Sequence, residues 1–518
     1  MSRQKSQVVA SIAAMALAAL ACATLSGQAP SRIGRERAVS HHLKGGDEFR
    51  LSIAQLIEHG RTLFCANWTE EDGGGRPLSR GSGAALNDPS HPLRGLRAFN
   101  RISGPDANSC QGCHNSPFGI AGGRGDIVTN VVELAERFDF VTFDSLSADT
   151  LGAIGNPRAT PGLFGAGYLE MLARQLTRDL QSIRDRIAPG ESKRLVTHGI
   201  DFGTLGRRRD GSWDARRVEG LPPQSVRASG AIAPSLVVLP WRQSASVVSL
   251  RELTNTAYNQ HLGIQTTERF GVGTDPDGDG VIDEMTRADV TAVTLFMATL
   301  PVPGRVVPND PVVEQAIEQG ERLFDRVGCT VCHVRALRLD RAGAVYSEPG
   351  PYNSRGNLRR GQEPLVQIDL ASGALPPPRL PSSRDGAIEV PAYTDFKLHD
   401  ITDPADSSAA EPLDMNRPAG TPRAGAGNRR FLTKRLWGVG NQSPYFHHGL
   451  FTTMREAILS HAGEALVQRT AFQHLASDDQ NAVIEFLKSL QVLPPSARAL
   501  VVDEMGRPKV WPSARASR

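Results

Sequence analysis

Two short stretches of the chain carry cysteine and histidine at a spacing that can hold a redox group. Residues 110–114 read CQGCH and residues 329–333 read CTVCH, so the pattern CxxCH occurs twice. Two thiols three positions apart lie on one helical turn and can form thioether bonds to a haem, whose iron the adjacent histidine then reaches. The sequence therefore predicts two covalently bound haem c groups, held by Cys110, Cys113, His114, Cys329, Cys332 and His333.

The paired cysteines also fit two other kinds of site. CxxC pairs bind zinc or form redox-active dithiols, and four thiols would complete one zinc site. A histidine directly after the second cysteine in both copies has no role in either site. With six cysteines in 518 residues, chance recurrence of the whole pentapeptide is rare, so the repeat favours haem.

Composition excludes one broad class of function, and the first residues indicate a compartment. With a net charge of +3 and 22% charged residues, nothing predicts binding to nucleic acid. Residues 1–23 have a basic start, a short apolar stretch and a small-residue end, which is typical of an export signal. We expect a periplasmic or otherwise exported protein with no integral membrane segment after signal removal; lipid anchoring at Cys22 is the alternative.

The two halves of the chain repeat one order of elements. Residues 60–64 (GRTLF) and 320–324 (GERLF) each end a stretch of helical apolar spacing ahead of a CxxCH motif. Each half closes with an amphipathic helix that begins near an aspartate, Asp289 or Asp479. The repeat predicts a mainly α-helical fold of two tandem cytochrome c-like domains with long loop-rich insertions. The predicted bounds are 47–303 and 312–495, followed by a tail over 496–518.

The middle of each half is long. Helical spacing over residues 169–187 predicts a helix, and residues 194–202 and 236–240 have the composition of strands. Between residues 335 and 430 the chain is rich in proline and glycine, so little regular structure is expected there. Both stretches predict loops that shape access to a haem or cover its edge.

An acidic loop follows in the first half. Residues 275–284 read DPDGDGVIDE, with carboxylates at alternate positions around glycine. Converging oxygen ligands of this kind bind calcium, although the threonine at residue 286 replaces the bidentate glutamate of an EF-hand. We expect a Ca²⁺ site, with an acidic turn as the alternative. Its predicted ligands are Asp275, Asp277, Asp279, Val281, Asp283 and Glu284.

Three further stretches, residues 97–100 (RAFN), 163–170 (LFGAGYLE) and 443–449 (SPYFHHG), flank the CxxCH motifs. In this order they resemble the bacterial di-haem cytochrome c peroxidase superfamily, most closely its di-haem oxidoreductase branch of peroxidases and thiol oxidoreductases. The resemblance covers nearly all of the chain after the signal. It implies that the amino-terminal haem meets the oxidant and the carboxy-terminal haem passes on electrons, with the haem edges close together, often near calcium.

The axial ligand of the second haem departs from the peroxidases of that family. Where they have a methionine, fourteen residues after His447, this chain has His461. We expect His461 to ligate the second iron. Because methionine raises the reduction potential of a haem, a histidine pair should give this haem a lower potential than its counterpart in the peroxidases. The alternative is a histidine on a helix surface.

The first haem lacks a distal histidine at the place expected from the family. No histidine lies between Asn115 and Glu170, so the first iron is expected to stand open. Splitting peroxide then requires a group that moves a proton from one oxygen to the other. The candidates are Glu170, His261 and Glu268, each with a purely structural role as the alternative.

These features predict an exported di-haem c-type enzyme that reduces peroxide at the first haem, with electrons passed through the second. The expected partners are a small redox protein or other electron donor and a small oxidant, peroxide or dioxygen. Two alternatives stay open. One is a di-haem oxygenase or maturation-type oxidant of an organic or protein substrate, and the other is a non-catalytic electron-transfer cytochrome, which requires both irons to be fully ligated.

Overall fold

The computed structural model describes residues 34–74, 108–123, 130–134, 155–275, 278–353, 366–403, 405, 410–414, 422 and 425–512. The chain divides into two units, Met1–Arg37 and Ala38–Arg518, and the features below lie in the second. Several sequence predictions fall outside the described residues: the export signal, Cys22, Asp277 and the RAFN stretch. The predicted domain bounds stay a prediction.

The helices begin at positions that local sequence favours. Ser52 and Thr286 each cap a helix with a reciprocal side-chain partner three residues later, and Asp310 caps another ahead of a proline at its first position. The helices are α1 (Ile53–Cys65), α2 (Cys110–Cys113), α3 (Ala166–Arg184), α4 (Pro223–Val226), α5 (Leu250–Ala257), α6 (Thr267–Phe270), α7 (Arg287–Ala298), α8 (Pro311–Arg326), α9 (Met454–Leu459), α10 (Leu466–Gln473) and α11 (Ser477–Ser489).

Short strands form several small sheets between these helices. The strands are β1 (Asn130–Leu134), β2 (Gly155–Ala159), β3 (Ser192–Thr197), β4 (Ile200–Arg207), β5 (Trp213–Val218), β6 (Gly304–Val306), β7 (Leu337–Leu339), β8 (Val345–Glu348), β9 (Val366–Asp369), β10 (Ile388–Val390), β11 (Leu398–Asp400), β12 (Arg430–Leu432), β13 (Leu490–Gln491) and β14 (Val501–Val502). The sheet orders are β1-β2, β3-β4-β5, β13-β6-β14, β7-β10, β8-β9 and β11-β12. Every pair is antiparallel except β14 with β6.

A closely packed helix pair supports the first CxxCH motif. α1 packs on α7 so closely that a Cβ added at Gly60 would overlap the carbonyl oxygen of Ala292. Beside this contact the rings of Phe64 and Phe296 have centroids 5.3 Å apart at 56°. The glycine thus sets the distance between the two helices, and the aromatic pair fills the space next to it.

The second half repeats both contacts of this helix pair. A Cβ at Gly320 of α8 would overlap the carbonyl oxygen of Ala482 of α11, and Phe324 lies 5.3 Å from Phe486 at 57°. The repeat seen in the sequence is therefore a repeat of one packing geometry, with glycine and phenylalanine at the same places.

The insertions pack into the same core as the first half. α3 is buried from its first residue through Thr177, and Tyr168 donates a hydrogen bond from its hydroxyl to the carbonyl of Leu370 at 2.7 Å. Buried side chains of β7, β8 and β10, among them Leu337, Tyr346 and Ile388, belong to the core that contains α3 and α7.

The prediction of a mainly α-helical fold is wrong. The structure is 32% helix and 17% strand. The error arises in the stretch rich in proline and glycine, where strands three or four residues long alternate buried and exposed positions, as in Leu337–Leu339 and Ile388–Val390. Runs this short carry too little periodicity to be distinguished from loop, and only pairing with distant strands stabilises them. A second error is the strand predicted at 236–240, where the structure has no regular secondary structure.

In the described part of the chain, no helix has both the length and the apolar character that crossing a membrane requires.

Candidate cofactor sites

The first CxxCH motif begins in a single helical turn. α2 spans its two cysteines, and Ser109 caps the turn by accepting a hydrogen bond from the Gly112 amide at 2.8 Å. Such a cap satisfies a donor that the first turn leaves unpaired. Because residues three apart on a helix lie on one face, the cap presents Cys110 and Cys113 together.

His114 is oriented by the backbone. Its Nδ1 lies 3.2 Å from the carbonyl oxygen of Gly122, which can only accept, so Nδ1 carries the proton and Nε2 keeps its lone pair. Burial lowers the pKa of His114 to about 4, so the ring is neutral at physiological pH. A neutral imidazole with a fixed tautomer is the form that ligates iron.

A cavity adjoins this motif, with about 1080 Å³ of empty space that is partly open to solvent. Cys110, Cys113 and His114 line it together with His261. His261 stands on the π-helical turn Tyr258–Leu262, and its charged form would lower the pKa of His114. π-Helical turns are rare and often occur at functional sites. The structure therefore brings together the predicted attachment residues and one of the three candidate catalytic residues.

The second CxxCH motif repeats this arrangement. Cys329 and Cys332 lie at the two ends of a 3₁₀ turn, and His333 follows. Nδ1 of His333 is 3.2 Å from the carbonyl oxygen of Tyr393, and burial lowers the pKa of His333 to about 4. Its Nε2 is thus left with a lone pair for a metal.

His461 faces the same cavity as His333. Its Nδ1 lies 2.7 Å from the carbonyl oxygen of Ala457, one helical turn earlier, and burial lowers its pKa. The cavity has about 1730 Å³ of empty space, partly open to solvent, and is lined by Cys329, Cys332 and both histidines. Two neutral imidazoles, each with Nδ1 on a carbonyl, supply the donor set of a six-coordinate iron.

Buried polar atoms around the second cavity test whether a haem fits. The Nη2 atom of Arg435 and the Nε1 atom of Trp437 are buried and have no hydrogen-bond partner among the described residues. Burial lowers the pKa of Arg435 to about 10. Burying a guanidinium nitrogen without a hydrogen-bond acceptor costs free energy, and the propionate of a haem is an acceptor that would satisfy it. Thr160 and Gln243 line both cavities, which places them side by side. The residues present fit two neighbouring haems.

The predicted residues Glu170 and Glu268 lie elsewhere, in a buried cluster of charges. Glu170 pairs with Arg174 and accepts a hydrogen bond from the Leu250 amide at 2.7 Å. Glu268 forms an ion pair with Arg251, whose Nη2 lies 2.6 Å from Oε2 of the glutamate. Neither glutamate lines either cavity. The catalytic role of Glu170 stays a prediction, with its carboxylate already occupied by structural partners.

The carboxylates of the acidic loop bond to backbone amides. Asp275 accepts from Gly278, Asp279 and Gly280 at 2.8–3.1 Å, and Val281 donates to Asp279 at 2.7 Å. Asp283 accepts from the Gly273 amide at 2.7 Å, whereas Glu284 is buried and accepts from Gln265 at 2.6 Å. No metal-ligating group forms from these side chains within the described residues, from which Asp277 is absent. The Ca²⁺ site stays a prediction.

Sequence analysis missed His399, which lies beside the second cavity. It contacts Asp395 and Glu464 and is close to Cys332. No motif marks it, because its partner Glu464 is 65 residues away along the chain.

Comparison with known families finds one match, over the carboxy-terminal part of the chain. Residues 387–490 match the family described as "Di-haem oxidoreductase, putative peroxidase". The predicted resemblance to di-haem oxidoreductases is confirmed. The matched segment contains His399 and His461 and ends ahead of the tail, and similarity to this family implies haem cofactors. Among curated proteins, a search found no match.

Solved structures give only distant similarity to this chain. Hydrazine synthase from Kuenenia stuttgartiensis is 13% identical with a TM-score of 0.31, over 90% of this chain and 100% of that chain. The diheme peroxidase BthA from Burkholderia thailandensis is 15% identical with a TM-score of 0.23, over 51% and 64%. A MauG-like protein associated with microbial copper homeostasis is 15% identical with a TM-score of 0.25, over 65% and 92%. TM-scores this low carry no inference about the present chain.

Proposed function

We propose that this di-haem oxidoreductase is exported, carries two haem c groups and reduces peroxide at the first cavity with electrons that enter at the second. The observation that carries the proposal is that the two cavities differ in how their histidines are arranged. His333 and His461 line the second, and each has Nδ1 on a backbone carbonyl. In the first, His114 is held in this way and His261 stands on a π-helical turn.

Each group would be held by the residues of its own cavity. Cys110 and Cys113 would attach the first haem and His114 would ligate it. The cysteines and histidine of 329–333 would hold the second, with His461 as the sixth ligand. When bound, haem iron supplies one-electron transfer and, where a position is open, a binding site for peroxide or dioxygen.

His261 is the residue that we assign to proton transfer. Reduction of one hydrogen peroxide to two waters consumes two electrons and two protons. An imidazole titrates near neutral pH and can move a proton between the two oxygens of the substrate. His261 lines the cavity that contains His114, whereas Glu170 does not.

Exposed apolar side chains next to the second cavity support electron entry on that side. Val331 is 68% exposed and lies between two cavity-lining cysteines, and Val467 is 74% exposed and precedes the cavity-lining Gln468. Apolar surface at the edge of a redox centre suits brief contact with a small redox protein. We propose such a protein, or another one-electron donor, as the partner.

A peroxide assay on the exported holoprotein tests the proposal. A reduced small redox protein is mixed with the enzyme and hydrogen peroxide, and both donor oxidation and peroxide loss are followed. We expect two donors oxidised for each peroxide consumed. Peroxide loss without donor oxidation, or no turnover with any one-electron donor, would contradict peroxide reduction.

One observation favours a second function. Because His261 and His114 line the same cavity, His261 could ligate the first iron instead of serving as a base. Both irons would then be six-coordinate and the chain would be an electron-transfer cytochrome. A low-spin ferric signal from the first haem that becomes high-spin in His261→Gln would identify this function.

A further inference from the structure

A buried histidine beside the second cavity is held between two carboxylates. Nε2 of His399 lies 2.8 Å from Asp395 Oδ2, and Nδ1 lies 2.6 Å from Glu464 Oε2. The Asp395 side chain is 3% exposed and that of Glu464 is 50% exposed. Asp395 is therefore the buried end of this row of three side chains and Glu464 the exposed end, and both His399 and Glu464 line the second cavity.

The hydrogen bonds fix the charge of this ring. An ionised carboxylate only accepts, so each ring nitrogen of His399 must donate, and the ring is an imidazolium. Burial alone would lower the pKa of His399, but the hydrogen bond to Asp395 and the negative charge of Asp395 act in the opposite direction and raise it. The His399 imidazolium thus donates a charge-assisted hydrogen bond to each of the two carboxylates. Such bonds are about twice as strong as those between neutral groups.

The hydrogen bonds of His399 to Asp395 and Glu464 connect the two segments that flank the second haem site. Asp395 follows Tyr393 by two residues, and the Tyr393 carbonyl holds Nδ1 of His333. Glu464 follows His461 by three residues and also accepts from the Asp400 amide at 3.0 Å. Between them, the Ala462 amide donates to Ile401 at 3.0 Å. The support of one axial histidine is therefore tied directly to the segment that carries the other.

Resting on the proposed ligation by His461, we propose that His399 is a positioning residue: clamped by Asp395 and Glu464, it keeps His461 on the second iron. A ligand delivered from the opposite side of a haem stays bound only if its segment is held at a fixed distance from the proximal side. The 3₁₀ turn Gly463–Ala465 contains Glu464 and no helix-capping side-chain bond, so the clamp supplies that hold.

A separate metal site at these residues is disfavoured by the same geometry. Cys332, Asp395 and His399 have ligand atoms within 4.8 Å of one another. Both nitrogens of His399 already donate protons, however, and a thioether bond would occupy the Cys332 sulfur.

The test uses holoprotein variants and reads the ligation of ferric iron by electron paramagnetic resonance, with haem content measured as the pyridine haemochrome. Glu464→Gln keeps the size of the side chain and removes its charge, and His399→Gln breaks one side of the clamp. Glu485→Gln is the matched control, because Glu485 pairs with Lys488 on the same helix, α11, and lines neither cavity. His461→Ala reports on ligation itself.

We expect both clamp variants to keep two haems per chain and to convert the low-spin signal of the second haem to high-spin. The ratio of low-spin to high-spin protein should fall roughly 10- to 100-fold, the effect of removing a support of a metal ligand. Added imidazole should restore the low-spin signal, which a collapsed site would not allow. Glu485→Gln should match the wild type.

Two other outcomes separate the failure of the clamp from the failure of the ligation. If His461→Ala loses the low-spin signal while Glu464→Gln and His399→Gln keep it, the clamp is overturned and ligation by His461 stands. If His461→Ala leaves every signal unchanged, His461 is not the ligand, and both the ligation and the clamp are overturned. Loss of haem or of imidazole rescue in both clamp variants would also overturn positioning, because the residues would then be needed for the fold.

Discussion

Three histidines in this protein share one structural device. In His114, His333 and His461 a backbone carbonyl holds Nδ1 at 2.7–3.2 Å and leaves Nε2 with its lone pair. Each side chain is half-buried, and the desolvation of its ring lowers its pKa. The device prepares a neutral ligand without another side chain, so it works wherever a turn brings a carbonyl beside the ring.

His261 lies in the first cavity and is assigned to proton transfer. Replacement by glutamine keeps the volume but cannot exchange a proton, so we expect peroxide turnover to fall roughly 10²- to 10⁴-fold, the usual range for a general acid–base group. Steady-state kinetics on protein with a measured haem content checks this. His474→Gln, at an exposed position that lines neither cavity, is the control. Equal turnover in His261→Gln and the control would remove His261 from the mechanism.

At the scale of elements, a closely packed helix pair behind each CxxCH motif sets the position of the motif. Phe324 of the second pair lies 6.3 Å from the ring of His333, and Phe64 of the first pair lies 6.1 Å from His114. Any change that separates the helices therefore moves an aromatic wall of a haem site.

Gly320→Ala tests this packing. An alanine inside a helix ordinarily gains up to about 1 kcal/mol over glycine. Here its Cβ would overlap the Ala482 carbonyl, so we expect a net loss of about 1–3 kcal/mol in the free energy of unfolding, the usual cost of overpacking. Urea unfolding measures the change. Gly373→Ala, where an added Cβ meets nothing within 4 Å, should be neutral; equal stabilities of the two variants would contradict close packing.

Asp289 ties the amino-terminal segment to α7. Its carboxylate is buried, with Oδ2 lying 2.8 Å from Nδ1 of His42 and Oδ1 lying 2.7 Å from Nε2 of His59. Burial alone would raise the pKa of Asp289, but hydrogen bonds from His42 and His59 lower it well below its ordinary value. A depressed carboxylate pKa adds stability above the unfolded-state pKa and loses it as pH falls through the folded-state pKa.

We therefore expect Asp289→Asn to cost roughly 2–3 kcal/mol of unfolding free energy near neutral pH, the value of a hydrogen bond to a charged group. The difference from the wild type should shrink as pH falls below about 4, the ordinary pKa of aspartate. Denaturant unfolding at several pH values measures it. A difference that stays constant down to pH of about 2 would contradict the assignment.

The sequence predicted the elements that carry strong periodicity or a motif. It predicts helices for the stretch that ends at residues 60–64, for residues 169–187 and for the closing segments near Asp289 and Asp479, and α1, α3, α7 and α11 lie at these places. The strands between 337 and 400 escaped prediction because each is three or four residues long and its partner lies far away along the chain. The same reason hid the clamp, since His399 and Glu464 meet only in the folded chain.

At the scale of the whole molecule, the two cavities are neighbours with shared walls. Thr160 and Gln243 line both, and Gln442 of the second cavity accepts a hydrogen bond from the Gly123 amide near the first CxxCH motif at 3.1 Å. Proximity of this kind favours electron transfer between the two sites. The motifs predict the attachment residues and the spacing predicts His461, and all of them line a cavity. Which of the candidate carboxylates and imidazoles reaches the first cavity could be learned only from the fold.

The central claim is an unequal pair of haems, with the first iron open and the second bound by His333 and His461. The most direct measurement is the electron paramagnetic resonance spectrum of the as-isolated ferric protein beside that of His461→Met. We predict one high-spin signal and one low-spin signal, with only the low-spin signal altered in the variant and a higher reduction potential for that haem, because methionine raises it. Two low-spin signals in the wild type, or a low-spin signal unaffected by His461→Met, would contradict the account.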